Sequence, residues 1–236
     1  MKIEGARVLV AGATGVIGAA LAAELGARGA HLVLAGRNEE RLTRSAQALG
    51  GAPTVLFDAY APDSCARAVH AAAGEHGGLD AVLTAFGSVA FGKAGAVGDD
   101  IAEHLMAVNA LAPAAFFRAA LGVLGTGGTI AAITGVVAER PQPGMADYSA
   151  SKSALAAWLG AVRREARPAG IHVLEVRFGH LDTGFADRAV AGHPPPMPQA
   201  GDFGAAVHTV VEALAADAEM VRTDSQGIAF FEPRVR

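Results

Sequence analysis

The sequence predicts an α/β fold: one doubly wound domain with a parallel sheet of about seven strands, flanked by helices. Three observations carry this. Short apolar runs alternate with longer helical stretches along the chain. Several of those runs are continuously apolar, as strands covered on both faces are. The length of 236 residues suits one large domain, enough to bury about 70–75% of its unfolded surface. Alternating strand and helix imply right-handed crossovers and parallel pairing.

In chain order, the first strand candidate is Arg7–Ala11, followed by a glycine-rich turn and the helix candidate Val16–Arg28. Leu32–Ala35 and Glu39–Leu49 form the next strand–helix pair, and Thr54–Phe57 with Asp63–Glu75 the third. Ala81–Ala85 is the fourth strand and Asp99–Leu124 a long apolar helix. Strand Thr129–Thr134, helix Ser149–Ala166, strand His172–Arg177, helix Phe203–Ala216 and strand Ile228–Phe231 complete the alternation. Two loops break the rhythm: Gly87–Gly98, and Gly179–Gly201 with its Pro194-Pro195-Pro196 run. Both follow the carboxyl ends of strands, where open α/β sheets bind ligands. The second reads as a substrate lid or as a surface excursion. No internal repeat and no linker divides residues 1–236, which are expected to form one domain.

Composition narrows the function. Hydrophobic residues make up 52% and charged residues 18%, which excludes a disordered chain. The formal charge of −4 leaves no basic footprint for nucleic acid. The single cysteine, Cys65, cannot form an internal disulfide, which suits a reducing compartment. The N-terminal segment lacks the pattern of a signal peptide, and no uninterrupted apolar run reaches the length of a membrane span. A cytoplasmic protein that does not act on membranes is the expectation. The eight histidines are scattered without ligand spacing, so no metal is expected.

The first strand runs into Gly12-Ala13-Thr14-Gly15-Val16-Ile17-Gly18. Glycines between a strand and a helix let backbone amides approach a phosphate, and the helix N-terminus adds partial positive charge. The spacing is G-x-x-G-x-x-G, not the usual dinucleotide G-x-G-x-x-G. The second strand ends in Gly36-Arg37 with no acidic residue to hold a ribose 2′-hydroxyl. Arg37 is suited to a 2′-phosphate, which favours NADP(H) over NAD(H). Asp58, in Phe57-Asp58-Ala59, is placed either to accept from an adenine amine or to cap its own turn.

Tyr148 and Lys152 stand four residues apart at the head of a helix, on one face. A phenol with a pKa of about 10 is a poor proton donor or acceptor at neutral pH. A neighbouring cation favours its phenolate and makes it serviceable.

Together these residues resemble the short-chain dehydrogenase/reductase family, with motifs in the expected order to about residue 216. The resemblance rests on the glycine turn, Asp58-Ala59, Asn109 in Val108-Asn109-Ala110, the Tyr148/Lys152 pair and Gly179 through Thr183. It implies a Rossmann-like fold and a catalytic set of Tyr148, Lys152 and Asn109. Tyr148 exchanges the proton with the substrate oxygen. Lys152 binds the nicotinamide ribose and lowers the tyrosine pKa, and Asn109 holds a water in a proton relay. The same resemblance assigns cofactor contacts to Gly12, Thr14, Gly15, Val16, Ile17, Arg37, Asp58, Ala59, Ala85, Gly87, Tyr148, Lys152, Gly179 and Thr183, the last touching the carboxamide. It also implies a homodimer or homotetramer built on the two long helices.

Departures from the family pattern are as informative. The usual catalytic serine, thirteen residues before the tyrosine, is Gly135 here. Thr134 carries a hydroxyl, but neighbouring strand residues point to opposite faces. His180, Glu139 and Arg140 are further candidates for the missing group, each also readable as loop surface. The segment after the fourth strand reads Thr84-Ala85-Phe86-Gly87, and Phe178-Gly179 stands where Pro-Gly is usual. Phe86, Phe91, Phe178 and Phe185 suggest an apolar pocket, with core packing an equal reading for Phe86 and Phe178. The leading functional expectation is an NADP(H)-dependent oxidoreductase on an alcohol/carbonyl pair. A nucleotide-binding sensor or scaffold without redox turnover is the second, and a non-redox lyase, cyclase or isomerase the third.

Overall fold

In the computed structural model, which describes residues 1–232, the strands are β1 (Arg7–Ala11), β2 (His31–Gly36), β3 (Thr54–Leu56), β4 (Leu79–Thr84), β5 (Leu124–Ile133), β6 (His172–Arg177), β7 (Met220–Thr223) and β8 (Ala229–Phe231). They form one sheet in the order β3-β2-β1-β4-β5-β6-β7-β8. Pairing is parallel from β3 to β7, and β8 adds antiparallel to β7. The helices are α1 (Val16–Ala27), α2 (Glu39–Ala48), α3 (Pro62–His76), α4 (Asp99–Met106), α5 (Ala112–Leu121), α6 (Ala146–Ala166) and α7 (Phe203–Ala215).

Successive strand residues face opposite sides, and the core divides accordingly. Val8 and Val10 of β1 pack with Leu21 and Leu25 of α1, Leu42 of α2 and Val210 of α7. Leu9 and Ala11 pack with Val69 of α3, Phe116 and Phe117 of α5 and Leu159 of α6. Local signals set the helix ends. The Asn38 side chain accepts from Arg41 N to cap α2. Pro62 opens α3, and Gly77 closes it in the left-handed region at φ 68°. Chain direction reverses outward from the β1/β4 pair, and the crevice beyond the carboxyl ends of those strands is the switch point where such sheets bind ligands.

One expectation is extended and two are corrected. The sheet has eight strands among the described residues, because Met220–Thr223 extends β6 and the expected last strand, near Ile228–Phe231, folds back beside it. The single helix expected over 99–124 is broken: a π-helical turn, Ala107–Leu111, separates α4 from α5. Its last residue, Leu124, instead begins β5, five residues before the expected start. Residues 99–121 are apolar enough and long enough to cross a membrane by composition, but 56% of the most apolar 18-residue window in that stretch is buried inside the fold.

Candidate active site

At the switch point the glycine turn is pressed against the end of β4. Gly12 N–H donates to Ala35 O at 2.8 Å, and Ala85 N–H donates to Ala11 O at 2.8 Å. Gly12 has φ 88°, and a Cβ there would stand 2.7 Å from Phe86 N. A Cβ on Gly18 would stand 2.2 Å from Gly12 O. Only glycine fits either position. Gly15 then N-caps α1 without a side-chain bond, so the first amides of the helix are not covered by a capping side chain. Thr14 and Ile17 are half-buried and Val16 is exposed along the turn.

Arg37 is exposed at the end of β2. Beside it Arg41, which the sequence reading did not single out, donates from Nη2 to Thr14 O at 2.9 Å. Arg41 therefore borders the turn, and Arg37 stands four residues before it in the chain, just past β2. Asp58 caps its own turn by accepting from Tyr60 N–H through Oδ1 at 2.9 Å. Half-buried Ala59 packs on the core beside it.

The second half of the crevice is polar and buried. Lys152, 4% exposed, donates from Nζ to the Ile133 carbonyl at 2.9 Å. Burial pushes its ammonium down to about 8. Asn109, 1% exposed in the π-helical turn, accepts from Ser88 N at 2.8 Å. Its Nδ2 donates to Ser88 O at 2.8 Å and to Ser151 Oγ at 3.0 Å. Ser151 in turn donates to Tyr148 O at 2.8 Å. Gly87 stands between the two side chains: a Cβ there would lie 3.0 Å from Asn109 Oδ1 and 3.3 Å from Lys152 Nζ. Tyr148 lies on the same face of α6, its ring centroid 6.0 Å from Lys152 Nζ. Among the described residues its hydroxyl has no hydrogen-bond partner.

Burial raises the Tyr148 phenol above its ordinary value, where the sequence reading expected a neighbouring cation to lower it. The physical reason is that Lys152 is itself desolvated and turned onto the Ile133 carbonyl, so burial dominates both groups.

Two loops close over this face. Val190 N–H donates to Val89 O and Phe91 N–H to Ala191 O, each at 2.9 Å. Phe91, Val89, Val137 and Met145 form a small apolar cluster that includes the Tyr148 ring and Phe185. The Phe185 and Tyr148 centroids are 6.4 Å apart. Phe86 packs on Phe57 and Phe116, and Phe178 joins the other core layer, so neither belongs to this cluster. Gly179 N–H is held by Thr223 Oγ1 at 3.0 Å. Thr183 is half-buried in the loop that carries Phe185, with its N–H donating to Leu181 O.

Residues 6–193 match the family model for short chain dehydrogenase. The chain belongs to the short-chain dehydrogenase family. Human dehydrogenase/reductase SDR family member 4 is 28% identical over 186 residues, covering 75% of this chain and 66% of that protein. The chain thus spans just under two thirds of that relative. An uncharacterized oxidoreductase of Methylorubrum extorquens is 32% identical over 187 residues, 77% of this chain and 75% of the relative. A short chain dehydrogenase from Burkholderia cenocepacia J2315, solved in complex with NADP, superposes with a TM-score of 0.80 at 28% identity over 91% of this chain and 92% of that one. BdcA, solved in complex with NADPH, gives 0.82 at 26% identity over 97% and 96%. Both the fold and the membership of an oxidoreductase family follow.

After β5 the backbone turns at Gly135. Gly135 has φ 91° and ψ 160°, a conformation that L side chains rarely adopt. Its N–H donates to Val176 O at 3.2 Å, and Val136 N–H donates to Phe178 O at 2.8 Å. Both amides are committed to the sheet. Thr134 does not take the place of a serine, because its hydroxyl donates to Glu175 Oε1 at 2.8 Å in the core. Glu139 is not a free loop acid either. It pairs with Arg177 at 2.8 Å and Arg222 at 3.6 Å, and those guanidinium groups hold its carboxyl below the usual range. Arg140 is exposed, and His180 contributes its backbone carbonyl to Gly201 N–H at 2.9 Å.

Proposed function

We propose that this chain is an NADP(H)-dependent oxidoreductase that interconverts a carbonyl and an alcohol on a small, largely apolar substrate. The observation that carries the reading is the polar end of the crevice: Gly87 leaves open the space bounded by Asn109 Oδ1 and Lys152 Nζ, on the face that holds Tyr148. The glycine turn fits a dinucleotide for the same reason, since a Cβ at Gly12 or Gly18 would collide with backbone. Arg37 and Arg41 suit a 2′-phosphate, and the NADP and NADPH complexes of the two structural relatives support that choice.

When bound, NADP(H) supplies or accepts the hydride. Gly12 to Ile17 and the start of α1 hold the phosphates. Arg37 and Arg41 take the 2′-phosphate, and Asp58 with Ala59 border the adenine. Ala85 and Gly87 give the backbone close approach. Lys152 meets the ribose hydroxyls, and Gly179 with Thr183 border the carboxamide. Tyr148 carries the proton to or from the substrate oxygen, and Asn109 fixes Ser88 and Ser151 around it. Phe91, Val137, Met145 and Phe185 exclude water from that oxygen. The domain spans the chain, with 179–201 as the substrate loop. Homo-oligomers form through α4, α5 and α6 together with the π-helical turn, where Leu111 is 53% exposed.

Turnover with NADPH on a panel of apolar aldehydes and ketones tests the reading. Tyr148→Phe should lower kcat by on the order of 10²–10⁴ with NADPH affinity kept. A second reading, a nucleotide-binding protein without redox turnover, draws on Gly135 and the raised Tyr148 phenol. Tight NADPH binding with no turnover on the panel would favour it.

A further inference from the structure

One polar pair at the adenosine side of the crevice is used by none of the steps above. Tyr60, 63% exposed, follows the Asp58 turn at the end of β3. Its hydroxyl meets Nδ1 of His104 on α4, with ring centroids 5.7 Å apart. The other ring nitrogen, Nε2, meets Ser88 Oγ at 2.7 Å. His104 therefore ties the β3–α3 turn to the loop after β4.

Both partners of the imidazole are hydroxyls, which donate or accept equally well. Both hydrogen bonds survive whether His104 is neutral or an imidazolium, so the local field decides its charge. Tyr60 faces it from the β3–α3 turn, and Arg37 stands at the carboxyl end of the neighbouring strand, where Gly36 pairs with Leu56. Ser88 is neutral, and on α4 itself Asp100 stands one turn back. Partial burial and the charge of Arg37 hold the imidazole below the usual histidine value. A phosphate monoester carries about −1.5 to −2 charge near neutrality. Placed on Arg37, it opposes the guanidinium's charge and favours the protonated form of His104.

We propose that His104 is a specificity residue for the 2′-phosphate: it takes up a proton when NADP(H) binds and none when NAD(H) binds, so discrimination sharpens as pH falls. The proposal rests on the NADP(H) reading of the crevice. The sign follows from linkage. The bound complex holds the proton more tightly than the free protein, so the added affinity is complete below the free value and lost as pH rises through the bound one. Between the two values the ratio of dissociation constants, NADH over NADPH, changes by up to about tenfold per pH unit.

Calorimetric titration with NADPH and NADH from about pH 5.5 to about pH 8, in buffers of different ionisation enthalpy, tests this in the wild type and in His104→Gln. The wild type should take up protons with NADPH near neutrality and none with NADH, and its preference for NADPH should rise as pH falls. The ligand's own 2′-phosphate, with a second pKa of about 6, releases protons when it meets a cation, so uptake cannot come from it. His104→Gln should show release only and lose the rise. Identical pH profiles in the two proteins, with NADPH preferred in both, would overturn the role of His104 and leave the cofactor reading standing. No preference for NADPH in either would overturn both. Should that variant fail to fold, His104→Asn gives the same comparison, and net proton exchange with NADPH unchanged by the substitution refutes the proposal.

Discussion

Lys152→Met should stabilise the protein at neutral pH while removing its activity. The ammonium is 4% exposed and pushed down to about 8, from an ordinary lysine value of 10.5. At about 1.4 kcal/mol per pH unit, keeping that charge buried costs about 3 kcal/mol. Methionine fills similar volume without a charge. Against the gain stands the lost bond to Ile133 O at 2.9 Å, which costs about 1–3 kcal/mol when a buried carbonyl goes unpaired. The net expectation is about 1–2 kcal/mol of added stability at pH 7, or a melting temperature higher by about 2–8 °C. The pH dependence has a definite sign. Between about 8 and 10.5 the unfolded chain binds the proton that the folded chain has released, so wild-type stability climbs with pH. The variant's lead should therefore be complete below about pH 8 and gone by about pH 10.5. Urea unfolding at neutral and alkaline pH measures it. A variant less stable than wild type at pH 7, or a lead that does not shrink with pH, would refute the reasoning.

Three further outcomes follow from the same geometry. Gly135→Ser should lose on the order of 1–3 kcal/mol from its left-handed backbone and should not raise carbonyl reduction, even though the nearest atoms to a Cβ there, Phe178 O and Val137 Cγ2, lie at an ordinary 3.8 Å; a serine variant that is equally stable and faster would contradict this. Gly12→Ala should lower the urea midpoint and weaken NADPH binding together, because its Cβ would press on Phe86 N from 2.7 Å. Sedimentation at micromolar concentration should give a dimer or larger, and a monomer mass would remove the proposed interface.

Arg7–Ala11 and His172–Arg177 match their expected bounds, the first through its apolar run and the second through Val173, Leu174 and Val176 around a lone buried Glu175. Met220–Thr223 was missed because only Met220 and Val221 are apolar, and its pairing with β6 and β8, not its composition, makes it a strand. The one signal of the break in the long helix was Pro113, in the first turn of α5, because Ala107–Leu111 itself reads as good helix. The π turn that buries Asn109 there is settled by tertiary contacts with Ser88 and Ser151. Tyr148 and Lys152 were legible because they are four apart on one helix. Their surroundings were not. The Ile133 carbonyl and Ser88 lie on other elements, as do Arg41, Phe185 and the Tyr60–His104 bridge, and no spacing announces them. The burial that raises the tyrosine pKa was hidden for the same reason, since a pair of residues says nothing about how deeply both are buried.

The central claim is that the crevice at the β1/β4 switch point holds NADP(H) for redox chemistry. Titration of the protein with NADPH and NADH, each followed by turnover on a carbonyl panel, tests it most directly. The account predicts NADPH binding well ahead of NADH, and NADPH oxidation that requires both Tyr148 and Lys152. Binding of neither nucleotide, or binding of NADH in preference to NADPH, would contradict it.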